Sequence, residues 1–337
     1  MPGLLSRRLF PILQLARMAL VFTAISNSLC TLLLWTHARF GDDALRHVAP
    51  AHALAIVLIS TGLYGFGMSL NDIIDRRRDQ QLAAHRPLPS GRIGVGTAHL
   101  VCALLILTAV VAGWGYSRWS GQGWISLVLV VWTAALIVFY DLAAKYLVAL
   151  GLLSLGLIRF FHAVIPAPQL PVLWHPLLLL NHVTLLSLVA YRWEAKRPPL
   201  TPIHWAAVSA GLAVVDALLI GLLAWRRVPA AGSFAKALHV GPQLIAPAAA
   251  AAAFIVLAAV IRARSASSRE AGQRLMLYGL LWLILYDAAF VAGYVGWRPA
   301  VVLVALLPMA YASVQVMRWW GGVIALSHRP AFKRADA

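Results

Sequence analysis

The chain has 337 residues, of which 61% are hydrophobic and 12% charged, against about 45–50% and about 25% in soluble domains. That much apolar surface cannot be hidden from water within one soluble fold, so the composition excludes a soluble enzyme or binding module and calls for a lipid bilayer. The formal charge of +17 does not point to nucleic acid, because the Lys and Arg residues sit in short segments between apolar runs, where they set topology and meet anionic lipid.

The runs predict helices at about 15–36, 52–70, 97–116, 122–140, 148–166, 173–191, 204–225, 243–262, 275–296 and 300–318, each close to the roughly 20 residues that cross a hydrocarbon core. They are continuously apolar and lack the alternation of a barrel strand, so the fold class is all-α: a polytopic transmembrane helical bundle of nine or ten spans. The first run has no small-residue cleavage site behind it and is expected to be retained as a helix. Joints fall at Pro166 to Pro171 and Pro198 to Pro202, where the chain must turn. With no soluble insert, linker or fixed-period repeat, residues 1–337 read as one membrane domain. With the N-terminus inside, the inner segments hold 20 of the 28 Lys and Arg residues and the outer segments 7, Arg159 being left within the fifth run. That excess predicts both termini on the cytoplasmic side. Cys30 and Cys102 lie within apolar runs and read as small buried hydrophobes.

Only 11 residues are acidic, yet Asp72, Asp75 and Asp79 fall within eight positions directly after the second run. On a continuous helix these offsets bring the three carboxylates onto one face, with Asn71 adjacent. Like charges so placed need a cation between them, and oxygen ligands of this kind suit Mg²⁺, which keeps sites for waters and substrate phosphate oxygens. The alternative is a solvated turn in which Arg76, Arg77 and Arg78 pair with the aspartates.

The core Asn71-Asp72-x-x-Asp75-x-x-x-Asp79, followed by Arg86-Pro-Leu-Pro-Ser-Gly-Arg92, resembles the first signature of the UbiA superfamily of membrane prenyltransferases. The resemblance implies a helical bundle around a central cavity with a cytoplasmic mouth. It also implies that Asn71, Asp72, Asp75 and Asp79 hold Mg²⁺ against the diphosphate of a prenyl donor, the three aspartates being the catalytic set and Arg86 a diphosphate ligand. Metal and basic side chains would stabilise the charge building on the departing diphosphate.

Further along the chain the resemblance weakens. Family members carry a second aspartate-rich motif after the sixth span, whereas this chain has Tyr191-Arg192-Trp193-Glu194-Ala195-Lys196-Arg197, with one carboxylate. Glu194 is the remaining metal candidate there, while Arg192, Lys196 and Arg197 are candidates to bind the diphosphate with fixed charge in place of a second ion; a basic loop obeying the inside-positive rule is the alternative. Tyr140, Asp141 and Lys145 close the fourth run. Tyr140 and Lys145 loosely resemble the family's diphosphate-binding pair at this joint, with Asp141 as a possible salt-bridge partner for Lys145. Arg159 shares a helix face with His162; a cation at that depth faces a cavity or a partner, either the diphosphate or Asp216 or Asp287. Asn27 and His182 read as interhelical hydrogen-bonding groups.

The functional expectation is transfer of a prenyl group from a Mg²⁺-bound prenyl diphosphate to a lipophilic acceptor, an aromatic one being the family's commonest theme, with no protein partner called for. The alternatives are a degenerate family member that binds or moves a prenyl lipid without chemistry, and an unrelated transporter. Phosphatidyl transfer would need the Asp-Gly-rich motif of the CDP-alcohol family, which the sequence lacks.

Overall fold

The long apolar runs fold as helices in the computed structural model, which describes residues 4–41, 44–84 and 86–327 and contains no strand among them. A short α1 (Leu4–Leu15) precedes α2 (Val21–Phe40), α3 (Pro50–Ile74), a two-turn α4 (Arg76–Leu82) and α5 (Val95–Trp119). Then come α6 (Ile125–Leu142), α7 (Val148–Val164), α8 (Trp174–Trp193), α9 (Pro202–Ala231), α10 (Ile245–Arg264) and α11 (Ser268–Tyr294). The last run is broken at Ala305 into α12 (Trp297–Val304) and α13 (Leu306–Ser327).

Each run read from the sequence coincides with a helix. Among the described residues nine segments are long and apolar enough to span a membrane, and α7 is the shorter tenth, with 17 residues. The chain is a multi-pass membrane protein. Local chemistry moves several boundaries. The first span starts at Met18 rather than near 15, because Arg17 takes a left-handed conformation (φ 45°) that ends α1. The ninth starts at Ser268 rather than near 275, because the Ser267 hydroxyl accepts from the Glu270 amide and caps it. The seventh runs on to Ala231, where left-handed Gly232 closes it. The tail cations Arg329, Lys333 and Arg334, which entered the topology argument, lie outside the described residues.

Packing divides the helices into two shells. α2, α3, α6, α7, α8 and α11 contact one another in sequence and close a ring, and α2 also touches α7 across it. α5, α9 and α10 lie outside: the apolar windows of α9 and α10 are only 11% buried, against 67% for α8. Their exposed Leu104, Leu107, Leu218 and Ile255 are therefore the lipid face. Exposed Trp119, Trp124, Trp225 and Trp297 all lie at the helix ends remote from the aspartates, the placement of an interfacial aromatic belt. Close approach inside the ring depends on small residues: a Cβ on Gly156 of α7 would fall 2.6 Å from the Leu180 carbonyl oxygen of α8.

Candidate functional site

The acidic cluster stands where α3 ends. α3 stops at Ile74, and Asp75, with ψ at 0°, joins it to α4. This corrects the expectation of one unbroken helical face for the three aspartates. The side chain of Asp75 makes no cap bond and turns instead to Lys145, whose Nζ lies 2.9 Å from its Oδ1. Asp72 and Asp79 share Arg86, whose Nη1 lies 3.5 Å from Asp72 Oδ1 and 2.5 Å from Asp79 Oδ2. Arg17 Nη2 reaches the same Asp72 oxygen at 3.2 Å.

Asp141 is the fourth carboxylate of the cluster. Buried at the end of α6, it accepts the Asn71 amide at 2.7 Å and lies 3.5 Å from Lys145 Nζ. Tyr140 is half-buried beside it, within electrostatic range of Asp75, Asp141 and Arg17. Arg76, Arg77 and Arg78 make no ion pair with these aspartates among the described residues, so the solvated-turn alternative does not describe this cluster.

Four carboxylates therefore face three cations. Asp72, Asp75 and Asp79 each present one oxygen to a cation, and their other oxygens have no protein partner among the described residues. With the Asn71 side-chain oxygen also outside its bond to Asp141, this donor set of hard oxygens carrying excess negative charge fits a Mg²⁺ ion.

The remaining sequence-predicted residues lie elsewhere. Arg192 places its guanidinium 5.8 Å from the Trp205 ring of α9, and Lys196 Nζ lies 3.3 Å from Glu194 Oε2. With Arg197 and Tyr191, Arg192 and Lys196 line a cavity of about 910 Å³ between the end of α8 and the start of α9. No bond or ion pair among the described residues joins this basin to Asp72, Asp75 or Asp79.

Arg159 is found deeper. It donates from Nη1 to Asn27 Oδ1 at 3.2 Å and from Nη2 to Thr23 Oγ1 at 3.0 Å, with the Tyr64 ring 5.8 Å away. Asn27 in turn donates to Asp287 Oδ2 at 2.8 Å, and His175 Nε2 lies 2.7 Å from Asp287 Oδ1. Ligand atoms of Cys30, His175 and Asp287 lie within 4.8 Å of one another, but both Asp287 oxygens are already taken by this bonding. Cys30 and Cys102 are buried, as expected. Asp216 accepts the Asn181 amide, and His182 bonds the Gly279 carbonyl oxygen at 3.0 Å. Both are interhelical hydrogen bonds.

Sequence reasoning missed two members of the site. Arg17 is one of the 20 inner-segment cations and carries no local signal of a site role; its left-handed backbone and its approach to Asp72 come from tertiary structure. Asp141 is legible in the sequence as a partner for Lys145, which it is, but its bond to Asn71 is not.

No family model matches the sequence, and no curated protein does. Among solved structures, that of a digeranylgeranylglyceryl phosphate synthase aligns with a TM-score of 0.57 at 16% identity, covering 86% of this chain and 99% of that one. A UbiA homolog from Archaeoglobus fulgidus bound to DMAPP and Mg²⁺ aligns with a TM-score of 0.42 at 13% identity, covering 90% of this chain and 99% of the other. The first of these shows that the chain shares the fold of that synthase, a helical membrane bundle of the kind the sequence led us to expect.

Proposed function

We propose that this protein is a membrane prenyltransferase that moves a prenyl group from a prenyl diphosphate to a lipophilic acceptor and releases diphosphate. The observation that carries the reading is the joint at Asp75, where Asn71, Asp72, Asp75, Asp79 and Asp141 meet Arg17, Arg86 and Lys145. Asn71, Asp72, Asp75 and Asp79 would hold Mg²⁺, and the bound ion would supply charge stabilisation to the departing diphosphate. Arg17, Arg86 and Lys145 would exchange their aspartate contacts for phosphate oxygens as the donor enters, with Tyr140 beside them. Arg192, Lys196 and Arg197, with Glu194, would form an outer basic basin through which an anionic donor passes.

The reaction is a substitution at the first carbon of the donor. Its carbon–oxygen bond breaks with both electrons leaving on diphosphate, the acceptor supplies the pair for the new bond, and the acceptor's proton passes to solvent. The ring of apolar helices excludes water from the allylic cation until the acceptor captures it.

The decisive experiment incubates purified protein with a panel of prenyl diphosphates and candidate acceptors, reading released diphosphate and the masses of the products. Metal-dependent diphosphate release that disappears in Asp72→Ala and Asp75→Ala supports the proposal. Retention of prenyl lipid without any release would leave a non-catalytic carrier.

A further inference from the structure

The joint at Asp75 has a second face, turned away from the aspartates. α4 brings Asp79 to Arg86, and Arg77, two positions earlier, leaves the same helix about 200° around from it. Arg76 and Arg77 have no side-chain partner among the described residues. With Ile73 and Ile74 at the end of α3, and Val95 and His99 at the start of α5, they line a cavity of about 410 Å³. Arg77, Val95 and His99 are exposed, and α5 belongs to the outer shell of helices, so this cavity lies on the lipid-facing side of the bundle. His99 adds a third polar group. Its Nδ1 donates to the Val95 carbonyl oxygen at 2.8 Å, since a carbonyl can only accept, and its Nε2 has no partner among the described residues.

Beyond the cavity, toward the middle of the membrane, the outer side of α5 is apolar. Leu100, Leu104, Leu107 and Val111 are each more than half exposed and follow one another at intervals of four, three and four, which sets them in one stripe. From Leu100 to Val111 the stripe runs about 16 Å, close to half of the roughly 30 Å hydrocarbon core. That is the depth of one leaflet.

A cationic cavity at the head of an apolar stripe one leaflet deep has the form of a phospholipid. We propose that this edge of the joint binds one anionic phospholipid, its phosphate held by Arg76, Arg77 and His99 and an acyl chain lying along Leu100 to Val111. Charge selects the head group: two unpaired guanidinium groups favour net negative charge over a head group that carries its own ammonium. The stripe selects a lipid over a soluble phosphate, because a lipid lying along it presents its phosphate at the level of the cavity, whereas a free anion must be taken from water by the arginines alone. The proposal goes beyond the prenyltransferase reading and does not depend on it. One two-turn helix carries Asp79 on one side and these arginines on the other, so an occupied lipid site also holds α4 in place and stabilises the folded protein by mass action.

The test titrates purified protein in neutral detergent with phosphatidylglycerol against phosphatidylcholine, counting bound lipid by native mass spectrometry and following the melting point alongside. One phosphatidylglycerol should be retained about tenfold more tightly than phosphatidylcholine and should raise the melting point further. The preference should vanish in Arg76→Gln/Arg77→Gln and survive in Arg262→Gln/Arg264→Gln, which removes equal charge from the end of α10 and leaves the cavity untouched. Glycerol phosphate at the same concentration should not displace the lipid. Equal retention of the two lipids would overturn the proposal, as would a preference that survives the loss of Arg76 and Arg77. A preference lost equally with Arg262 and Arg264 would replace the site with diffuse surface charge, and glycerol phosphate binding as tightly as the lipid would make the occupant a soluble anion. Should the double variant fail to fold, Arg77→Gln alone, altering one exposed side chain, decides: the preference should fall about threefold, and an unchanged preference overturns the proposal.

Discussion

Replacing Lys145 with Met separates a structural cation from a substrate ligand. The Lys145 side chain is 9% exposed and lies between Asp75, 15% exposed, and Asp141, 2% exposed. Removing one partner of a fully buried pair costs about 3–5 kcal/mol, whereas an exposed pair contributes about 0–1 kcal/mol. Here Asp75 keeps some water and Asp141 keeps its bond from Asn71, so the cost falls between these limits, at about 2–3 kcal/mol. The melting point of detergent-purified Lys145→Met should drop, and Asp75→Asn in the same chain should restore part of the loss, because it removes the charge left unpaired. Millimolar Mg²⁺ should stabilise Lys145→Met more than the parent, since the ion no longer competes with an ammonium group for Asp75. Binding of a non-hydrolysable prenyl diphosphate should weaken by about tenfold even with Mg²⁺ present, the expected loss of one charge-assisted contact. A melting point unchanged by Lys145→Met, together with unchanged donor affinity, would refute the reasoning that places this lysine at the centre of the site.

Asp72→Asn should abolish metal-dependent diphosphate release while leaving the protein folded, because Arg17 and Arg86 can still bond the amide oxygen; full activity would remove Asp72 from the metal site. Neutralising Arg192 or Lys196 should weaken donor binding less than Lys145→Met does, since the first rests on Trp205 and the second on Glu194; a larger effect would move the diphosphate toward the basin. Gly156→Ala should lower stability and yield by pushing α7 off Leu180 and Thr184 of α8, whereas Gly221→Ala, which meets nothing within 4 Å, should be neutral or slightly stabilising; equal melting points for the two would contradict the close contact of α7 and α8. Asp287→Ala strands Asn27 and His175 in the interior and should cost about 3–5 kcal/mol, read as loss of folded protein on size exclusion.

The sequence carries the span pattern because each crossing helix needs its own apolar run, and it carries Asn71 to Arg92 because those groups are contiguous in the chain. It does not carry what folding brings from afar. Arg17 meets Asp72 across 55 residues and Asn71 meets Asp141 across 70; no local pattern records either meeting. Helical spacing was also misleading at Asp75, since ideal periodicity assumes an unbroken helix and Lys145 draws that side chain away. At Asn27 the expected interhelical hydrogen bond is present, but its partners lie 132 and 260 residues away on two other helices. Polar residues in apolar runs thus announce that a partner exists, without saying which.

The shortness of α7 bears on how an amphiphilic substrate reaches this protein. Seventeen helical residues extend about 25 Å, less than the roughly 30 Å of a hydrocarbon core, and the remaining few ångströms must be met by local thinning of the leaflet or by sinking one end of the helix. Lys145 immediately precedes one end of this helix, so sinking of that end would bring Lys145 and its aspartate partners below the plane of the surrounding head groups. A diphosphate-bearing lipid would enter this cluster sideways and slightly downward, without its tail ever leaving the bilayer. Membrane thickness would then be a variable of the reaction, and activity in reconstituted vesicles should change with acyl chain length.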